Sequence, residues 1–163
     1  MKEKVSVLIA DDNQEFSHTL STYINAQDDM QVVGMARDGE EAIEIMQDIT
    51  PDVVLLDVIM PHLDGLGVLE KISTMQINKK PICIMLSAVG QDKITQKAIA
   101  LGAEYYVVKP FDIELLIKRI KELKNFKPSL EVEEAEQAIY NHELTDMTDV
   151  MQEMLQELKQ QNR

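Results

Sequence analysis

Five short apolar runs alternate with amphipathic segments, and this alternation is the feature that most constrains the fold. The runs read as strands at 5–10, 31–36, 53–57, 82–87 and 104–108. Apolar residues at helical spacing follow them, over about 13–25, 39–48, 65–74, 92–101 and 112–124. Five strand–helix repeats in the first 125 residues predict a parallel sheet with helices on both faces.

The length of the repeat region selects one kind of parallel sheet. A closed eight-stranded barrel needs about 250 residues, and the whole chain has 163. Right-handed crossovers leave an open, doubly wound α/β sheet as the predicted architecture. Sheets of this kind bind ligands at the carboxyl ends of their strands.

Polar residues interrupt the apolar pattern at that predicted edge. Asp11 and Asp12 follow the first strand, Asp57 ends the third, Ser87 ends the fourth and Lys109 follows the fifth. Singly, each has an ordinary explanation: Asp11 and Asp12 before Asn13 can cap a helix, and the others fit loops or turns. Their occurrence on one edge favours a functional cluster.

Three carboxylates that converge repel one another unless a cation lies among them. Oxygen ligands suit Mg²⁺, although Ca²⁺ or Mn²⁺ can use the same oxygens, and the absence of His or Cys at these positions argues against zinc. A carboxylate nucleophile, a cation, the Lys109 ammonium and the Ser87 hydroxyl are the groups that phosphoryl transfer requires. The chain has neither a glycine-rich phosphate loop nor a Ser-His-Asp pattern.

Four motifs resemble one known family. They are Ile-Ala-Asp-Asp-Asn at 9–13, Leu-Leu-Asp-Val-Ile-Met-Pro at 55–61, Leu-Ser-Ala at 86–88 and Tyr-Val-Val-Lys-Pro-Phe at 106–111. Over residues 5–125 the sequence is similar to the response-regulator receivers of two-component and phosphorelay signalling. The resemblance implies a flavodoxin-like sheet with strand order 2-1-3-4-5. It implies a receiver domain over 1–127.

The resemblance also implies a role for each residue of the cluster. Asp57 corresponds to the phosphoacceptor, and Asp11, Asp12, Asp57 and the Ile59 backbone carbonyl correspond to the metal ligands. Ser87, Tyr106 and Lys109 correspond to the catalytic and switch residues. The implied partner is a histidine kinase or a phosphotransferase that donates the phosphoryl group, with the surface of the first helix near Gln14, Glu15 and His18 as its docking face.

Ile59 and Val89 are expected to flank the path of water to the acyl phosphate. Both are aliphatic and cannot orient water, so we expect self-dephosphorylation over hours. An aspartate-nucleophile phosphatase on the same fold would need a second carboxylate at position 59, where Ile59 stands. The protein is therefore expected to be a signalling switch and not an enzyme with an external substrate.

The last fifth of the chain differs in charge from the rest. Residues 1–128 carry 14 basic and 20 acidic side chains, whereas residues 129–163 carry 2 and 9. We expect an acidic linker over 128–143 and an amphipathic helix over 144–163. Its apolar stripe is at Leu144, Met147, Met151, Met154 and Leu158, and favours a homodimer, packing on the receiver, or a link to a further domain.

Composition limits the remaining choices. The net charge of −13 argues against unaided binding of nucleic acid, and apolar runs shorter than about 18 residues argue against a membrane span. We therefore expect a cytoplasmic protein, and the single Cys83 agrees with a reducing compartment and is expected to be a buried apolar residue.

The sequence is compatible with two downstream functions for the receiver. The motif Met-Pro-His-Leu-Asp-Gly-Leu at 60–66 is similar to that of sporulation transcription regulators from endospore-forming bacteria, which implies a DNA-binding domain outside this chain. The alternative is a stand-alone phosphorelay carrier with a docking or dimerising tail.

Overall fold

The computed structural model of the chain describes residues 4–77, 79–88 and 90–125. The strands are β1 Val5–Ala10, β2 Met30–Ala36, β3 Val53–Leu56, β4 Ile82–Ser87 and β5 Tyr105–Val108. The helices are α1 Gln14–Asn25, α2 Gly39–Asp48, α3 Gly65–Thr74, α4 Asp92–Ala100 and α5 Ile113–Asn125. These bounds lie within one residue of those expected from the sequence.

The five strands form one parallel sheet in the order β2-β1-β3-β4-β5. This confirms both the doubly wound architecture derived from the repeats and the strand order implied by the resemblance. The order reverses between β1 and β3, so the chain leaves the sheet in opposite directions from these two strands. Doubly wound sheets bind their ligands at such a reversal.

Alternate residues of each strand enter two separate cores because successive side chains point to opposite faces of a sheet. Leu8, Val54, Leu56, Cys83 and Met85 pack with α2, α3 and α4. Val7, Ile9, Leu55, Ile84 and Leu86 pack with α1 and α5. Full burial stabilises each large aliphatic side chain by about 1.5–3 kcal/mol relative to exposure. The sheet edge that carries the polar residues is therefore held from both sides.

Short polar side chains start the helices that follow the sheet edge. Asn13, Asp38 and Asp64 accept hydrogen bonds from the backbone N–H groups of Phe16, Glu41 and Gly67. Asp112 accepts from the N–H groups of Glu114 and Leu115. Each of these connections therefore ends in a side-chain cap that fixes where the next helix begins.

The predicted linker over 128–143 and the helix over 144–163 lie outside the described residues, as does the stripe formed by Leu144, Met147, Met151, Met154 and Leu158. These expectations stay predictions. Within residues 4–77, 79–88 and 90–125, the helices are too short or too polar to cross a membrane.

Candidate functional site

The site lies where the chain continues past the carboxyl ends of the strands. Backbone N–H groups there extend the sheet by one residue: Asp11 donates to Ala36 (3.0 Å), Asp57 to Ala10 (2.9 Å) and Lys109 to Ser87 (2.8 Å). Three of the predicted site residues are thus fixed by the backbone of a neighbouring strand or its end. Their side chains converge on one point of the edge.

An acidic cluster is formed by Asp11, Asp12 and Asp57. Each can place a carboxylate oxygen within 4.8 Å of the other two. Asp11 and Asp57 are buried, with 3% and 8% of their surface exposed, while Asp12 is exposed. Asn13, and neither aspartate, caps α1 by accepting from the Phe16 N–H. The helix therefore begins without using Asp11 or Asp12 as its cap.

Lys109 is the cation of the site. Its ammonium nitrogen lies 2.5 Å from Asp11 Oδ2 and 3.5 Å from Asp57 Oδ2. The side chain is 20% exposed, so these charges meet in a partly dry environment. Asp11 is therefore the closer partner of Lys109, and Asp57 the more distant one.

The pKa of Asp57 is raised above its ordinary value. Burial is the main cause, because it disfavours the charged form, and the negative charge of Asp11 adds to it. Lys109, the Ile59 N–H and the Ser87 hydroxyl act in the opposite direction without cancelling the shift. The positive charge and hydrogen bonds around Asp57 are therefore too few to offset the burial of its negative charge.

Ser87 connects the acidic cluster to β5. Its side chain is fully buried and hydrogen-bonds with Asp57 and with the Tyr106 hydroxyl. Tyr106 also hydrogen-bonds with Thr95 on α4, and burial raises its pKa. Tyr106 packs with the α2–α4 core and Tyr105 with the α1–α5 core, as strand alternation predicts. A chain of polar contacts thus runs from Asp57 to α4.

The β3–α3 loop carries Ile59, whose side chain is 61% exposed and whose N–H lies 3.3 Å from Asp57 Oδ1. A Cβ on Gly65 would lie 2.2 Å from the Asp57 carbonyl oxygen, so only glycine allows α3 to start this close to the phosphoacceptor candidate. The loop's position beside Asp57 therefore depends on a residue eight positions further along the chain.

His62 fixes the far side of the same loop. Its side chain is exposed, and its Nδ1 lies 2.8 Å from Asp38 Oδ2. His62 has a φ of 68°, and the Leu63 N–H donates to the Pro61 carbonyl across it. This γ-turn is strained for a non-glycine residue. The Asp38 contact and the Gly39 N–H bond to the Leu63 carbonyl, 2.9 Å long, tie the strained turn to α2.

Phe16 contacts the site as well as the α1–α5 core, although apolar periodicity along α1 predicts only the contact with the core. Its ring centroid lies 4.2 Å from Lys109 Nζ, and its ring meets Phe111 edge to face at 5.9 Å. One feature of the sequence could have predicted this contact: Phe16 is an aromatic residue in the first turn of α1, five positions after Asp11. Val89 lies outside the described residues, so its predicted place on the water path remains a prediction.

Cys83 lies in the α2–α4 core, as expected for an apolar residue. Burial raises the pKa of its thiol to about 12, which leaves it protonated at neutral pH. It is therefore not a candidate for nucleophilic chemistry.

Comparison with known proteins identifies the family to which this fold and acidic cluster belong. Residues 7–121 match the response regulator receiver domain family. Among solved structures, the response regulator domain of CheB from Thermotoga maritima is 31% identical, with a TM-score of 0.70, over 77% of this chain and 100% of that one. A DNA-binding response regulator of the LuxR family from Staphylococcus aureus is 26% identical, with a TM-score of 0.69, over 74% and 99%.

CheY from Borrelia burgdorferi, solved in complex with CheX, BeF₃ and Mg²⁺, is 31% identical, with a TM-score of 0.66, over 74% of this chain and 90% of that one. The family match covers well over half of the 163 residues and includes every residue of the acidic cluster. The chain belongs to the response regulator receiver family, whose members act as switches in two-component signalling.

Proposed function

We propose that Asp57 accepts a phosphoryl group and that the resulting acyl phosphate switches the conformation of the domain. One observation carries the proposal: a buried carboxylate at the end of β3 lies beside two further aspartates and a lysine. A structural ion pair would have matched one cation with one anion. Here the excess of carboxylates, together with the raised pKa of Asp57, fits a site that receives a cation and a phosphoryl group.

The side chains fit a hard divalent cation. Three carboxylates within 4.8 Å of one another offer oxygen ligands only, and the proposed fourth ligand is the Ile59 carbonyl. Mg²⁺ is the proposed ion, with Ca²⁺ or Mn²⁺ able to use the same oxygens. When bound, the cation neutralises charge on the phosphoryl oxygens and on the carboxylates that surround them.

In the proposed transfer, a carboxylate oxygen of Asp57 attacks the phosphorus of a phosphohistidine. The new O–P bond forms as the P–N bond breaks, and the imidazole nitrogen of the donor leaves with the electron pair. Lys109 is placed to pair with one phosphoryl oxygen and Ser87 to donate a hydrogen bond to another. The enzyme-like work of the domain is limited to positioning and charge neutralisation.

The proposed switch uses the contacts of Ser87. When its hydroxyl turns toward the phosphoryl group, the hydrogen bond with Tyr106 is exchanged for a stronger, charge-assisted bond. Tyr106 then turns into the space that Ser87 leaves, which breaks its bond with Thr95 and changes the α4–β5 surface. Ile59 and Val89 offer no polar group to orient water, so the acyl phosphate is proposed to last for hours.

The donor is proposed to be a histidine kinase or a phosphotransferase that docks along α1. A cleft of about 1140 Å³ opens beside Asp11, and its lining includes Gln14, Glu15 and His18. The proposed output is transcription control in the cytoplasm through a DNA-binding domain outside this chain, as in sporulation regulators, with homodimerisation through the tail. The DNA-binding relative from Staphylococcus aureus supports this output, and a stand-alone phosphorelay carrier is the alternative.

Beryllofluoride binding tests the phosphoacceptor. Calorimetric titration of beryllofluoride in the presence of Mg²⁺ is expected to show saturable binding to the wild-type chain and none to Asp57→Ala. Glu44→Gln, on the exposed face of α2, serves as the matched control. Binding that survives in Asp57→Ala would refute the assignment. Light scattering with and without beryllofluoride then reports dimerisation: a doubled mass supports the homodimer, and an unchanged mass argues against it.

A further inference from the structure

The Lys109 ammonium contacts the ring of Phe16 as well as two carboxylates. The ammonium has three N–H donors, of which two point toward Asp11 at 2.5 Å and Asp57 at 3.5 Å. The ring centroid lies 4.2 Å from the same nitrogen, well within the distance at which a cation is attracted to an aromatic face. Lys109 is thus held by two charges and one ring.

The Phe16 ring is itself fixed by its neighbours. It packs into the α1–α5 core and meets Phe111 at an interplanar angle of 81°, with centroids 5.9 Å apart. Edge-to-face pairs at this separation are stabilising by about 0.5–1.5 kcal/mol beyond the burial of their area. Since Phe16 is in the first turn of α1 and Phe111 follows β5 by three residues, the pair joins the two connections that carry Asp11 and Lys109.

We propose that Phe16 is a positioning residue that holds the Lys109 ammonium over the phosphoacceptor and keeps water from its third side. This inference rests on the proposed function of Asp57. The ammonium already lies over Asp57 while it is in contact with the ring, so it need not leave the ring to reach a phosphoryl oxygen there. Without the ring, water solvates the ammonium and competes with that oxygen.

The alternative is that Phe16 serves only as an apolar cover for the α1–α5 core. The two roles differ in their dependence on ring electrons: an apolar contact is nearly insensitive to fluorination, whereas attraction of a cation weakens with each fluorine. A series of fluorinated phenylalanines at position 16 therefore separates them with little change in ring shape. Phe16→Tyr is the conservative variant, and Tyr23→Leu removes an exposed aromatic elsewhere on α1 as a matched control.

The experiment measures beryllofluoride affinity with Mg²⁺ for the full chain carrying mono-, di- and trifluorophenylalanine at position 16. The logarithm of the affinity is expected to fall steadily with the number of fluorines, to a loss of about three- to tenfold. Phe16→Leu should show a similar loss, Phe16→Tyr should restore affinity, and Tyr23→Leu should match the wild type. A flat fluorine series with strong wild-type binding overturns the inference and leaves the proposed function intact.

Thermal unfolding in chelator gives a second readout that needs no metal. Phe16→Leu is expected to lower the unfolding midpoint more in the wild-type background than in Lys109→Met, because only the former loses the contact between ring and ammonium. Equal shifts in both backgrounds would also overturn the inference. If the wild-type chain does not bind beryllofluoride at all, the proposed function of Asp57 fails first.

Discussion

The ammonium nitrogen of Lys109 lies 1 Å closer to Asp11 than to Asp57, at 2.5 Å against 3.5 Å. The positive charge of Lys109 therefore neutralises Asp11 more than it neutralises Asp57. Asp57 remains buried with a raised pKa, and the cause is burial together with the neighbouring charge of Asp11. Binding of a cation beside Asp57 would therefore relieve the unfavourable burial of its negative charge.

Asp57→Asn is expected to stabilise the metal-free domain at pH 7. A carboxyl group whose folded pKa is raised contributes stability below its ordinary value of 3.8, and that stability is lost as the pH rises through the folded pKa. Removing the charge should therefore raise the free energy of unfolding by about 1 kcal/mol at pH 7. Urea unfolding in chelator at several pH values measures this.

The gain from Asp57→Asn should shrink as the pH falls through the raised folded pKa and vanish below the ordinary value of 3.8, where the wild-type carboxyl is protonated in both states. Asp12→Asn provides the comparison, because Asp12 is exposed and its charge is solvated. A variant less stable than the wild type at pH 7 would show that Asp57 is well compensated in the resting domain.

Divalent cation is expected to stabilise the domain through the acidic cluster. At a concentration one hundred times the dissociation constant, a ligand that binds only the folded state adds about 2.7 kcal/mol. Calorimetric melting with Mg²⁺ should show this rise, and chelator should reverse it. Asp11→Asn should lose most of the effect and Glu44→Gln none of it. An equal rise in Asp11→Asn would place the cation elsewhere.

Gly65→Ala is expected to disturb the site through the backbone. Its Cβ would lie 2.2 Å from the Asp57 carbonyl oxygen and 2.9 Å from the Asp57 carbonyl carbon, so either α3 or the end of β3 must move. Overpacking of this kind destabilises by about 1–3 kcal/mol. Chemical denaturation and beryllofluoride titration should both show a loss.

Gly34→Ala is the control for Gly65→Ala, because its Cβ would meet only side-chain atoms of Ile45 and Leu8, at 3.1–3.5 Å. These side chains can shift by a few tenths of an ångström, so a much smaller loss is expected. Equal losses in the two variants would mean that the approach of α3 to Asp57 is not specially tight.

The His62–Asp38 contact is expected to depend on pH. Hydrogen bonding and charge attraction from Asp38 raise the pKa of His62 above its ordinary value of 6.5. The pair therefore adds stability below pH 6.5 and loses it as the pH rises through the raised value. Titration followed by NMR should show the raised pKa in the wild-type protein.

Asp38→Asn keeps an oxygen that can cap α2 and removes the charge, so the pKa of His62 should fall toward its ordinary value. Glu40 also raises the pKa of His62, by its charge alone, and Glu40→Gln should lower it less than Asp38→Asn. A titration unaffected by Asp38→Asn would show that the contact is absent in solution.

The fold could be predicted from the sequence because the apolar pattern of each segment agreed with the order of strands and helices along the chain. In β3, four successive apolar residues are buried on both faces, so its type did not depend on distant contacts. The placing of Asp11, Asp57 and Lys109 at one edge followed from the rule that parallel strands share their direction. Each of these inferences needs only the order of elements along the chain.

The details of the site did not follow from the sequence, since they depend on distances between elements far apart in the chain. Lys109 and Asp11 are 98 residues apart, and their contact is decided by the rotamer of one long side chain. The same holds for Phe16 over Lys109 and for His62 beside Asp38. Patterns predict which residues share an edge, but side-chain packing decides which of them touch.

The backbone bonds of Asp11, Asp57 and Lys109 have a consequence for how a signal can leave this site. Each residue continues the sheet ladder by one step, so none can be displaced without breaking a bond to the strand beside it or to its end. Movement of the main chain in response to a new charge therefore costs backbone hydrogen bonds. Rotation about side-chain torsions costs none of them. Ser87 and Tyr106 are the neighbours whose hydroxyls can exchange hydrogen-bond partners by such a rotation.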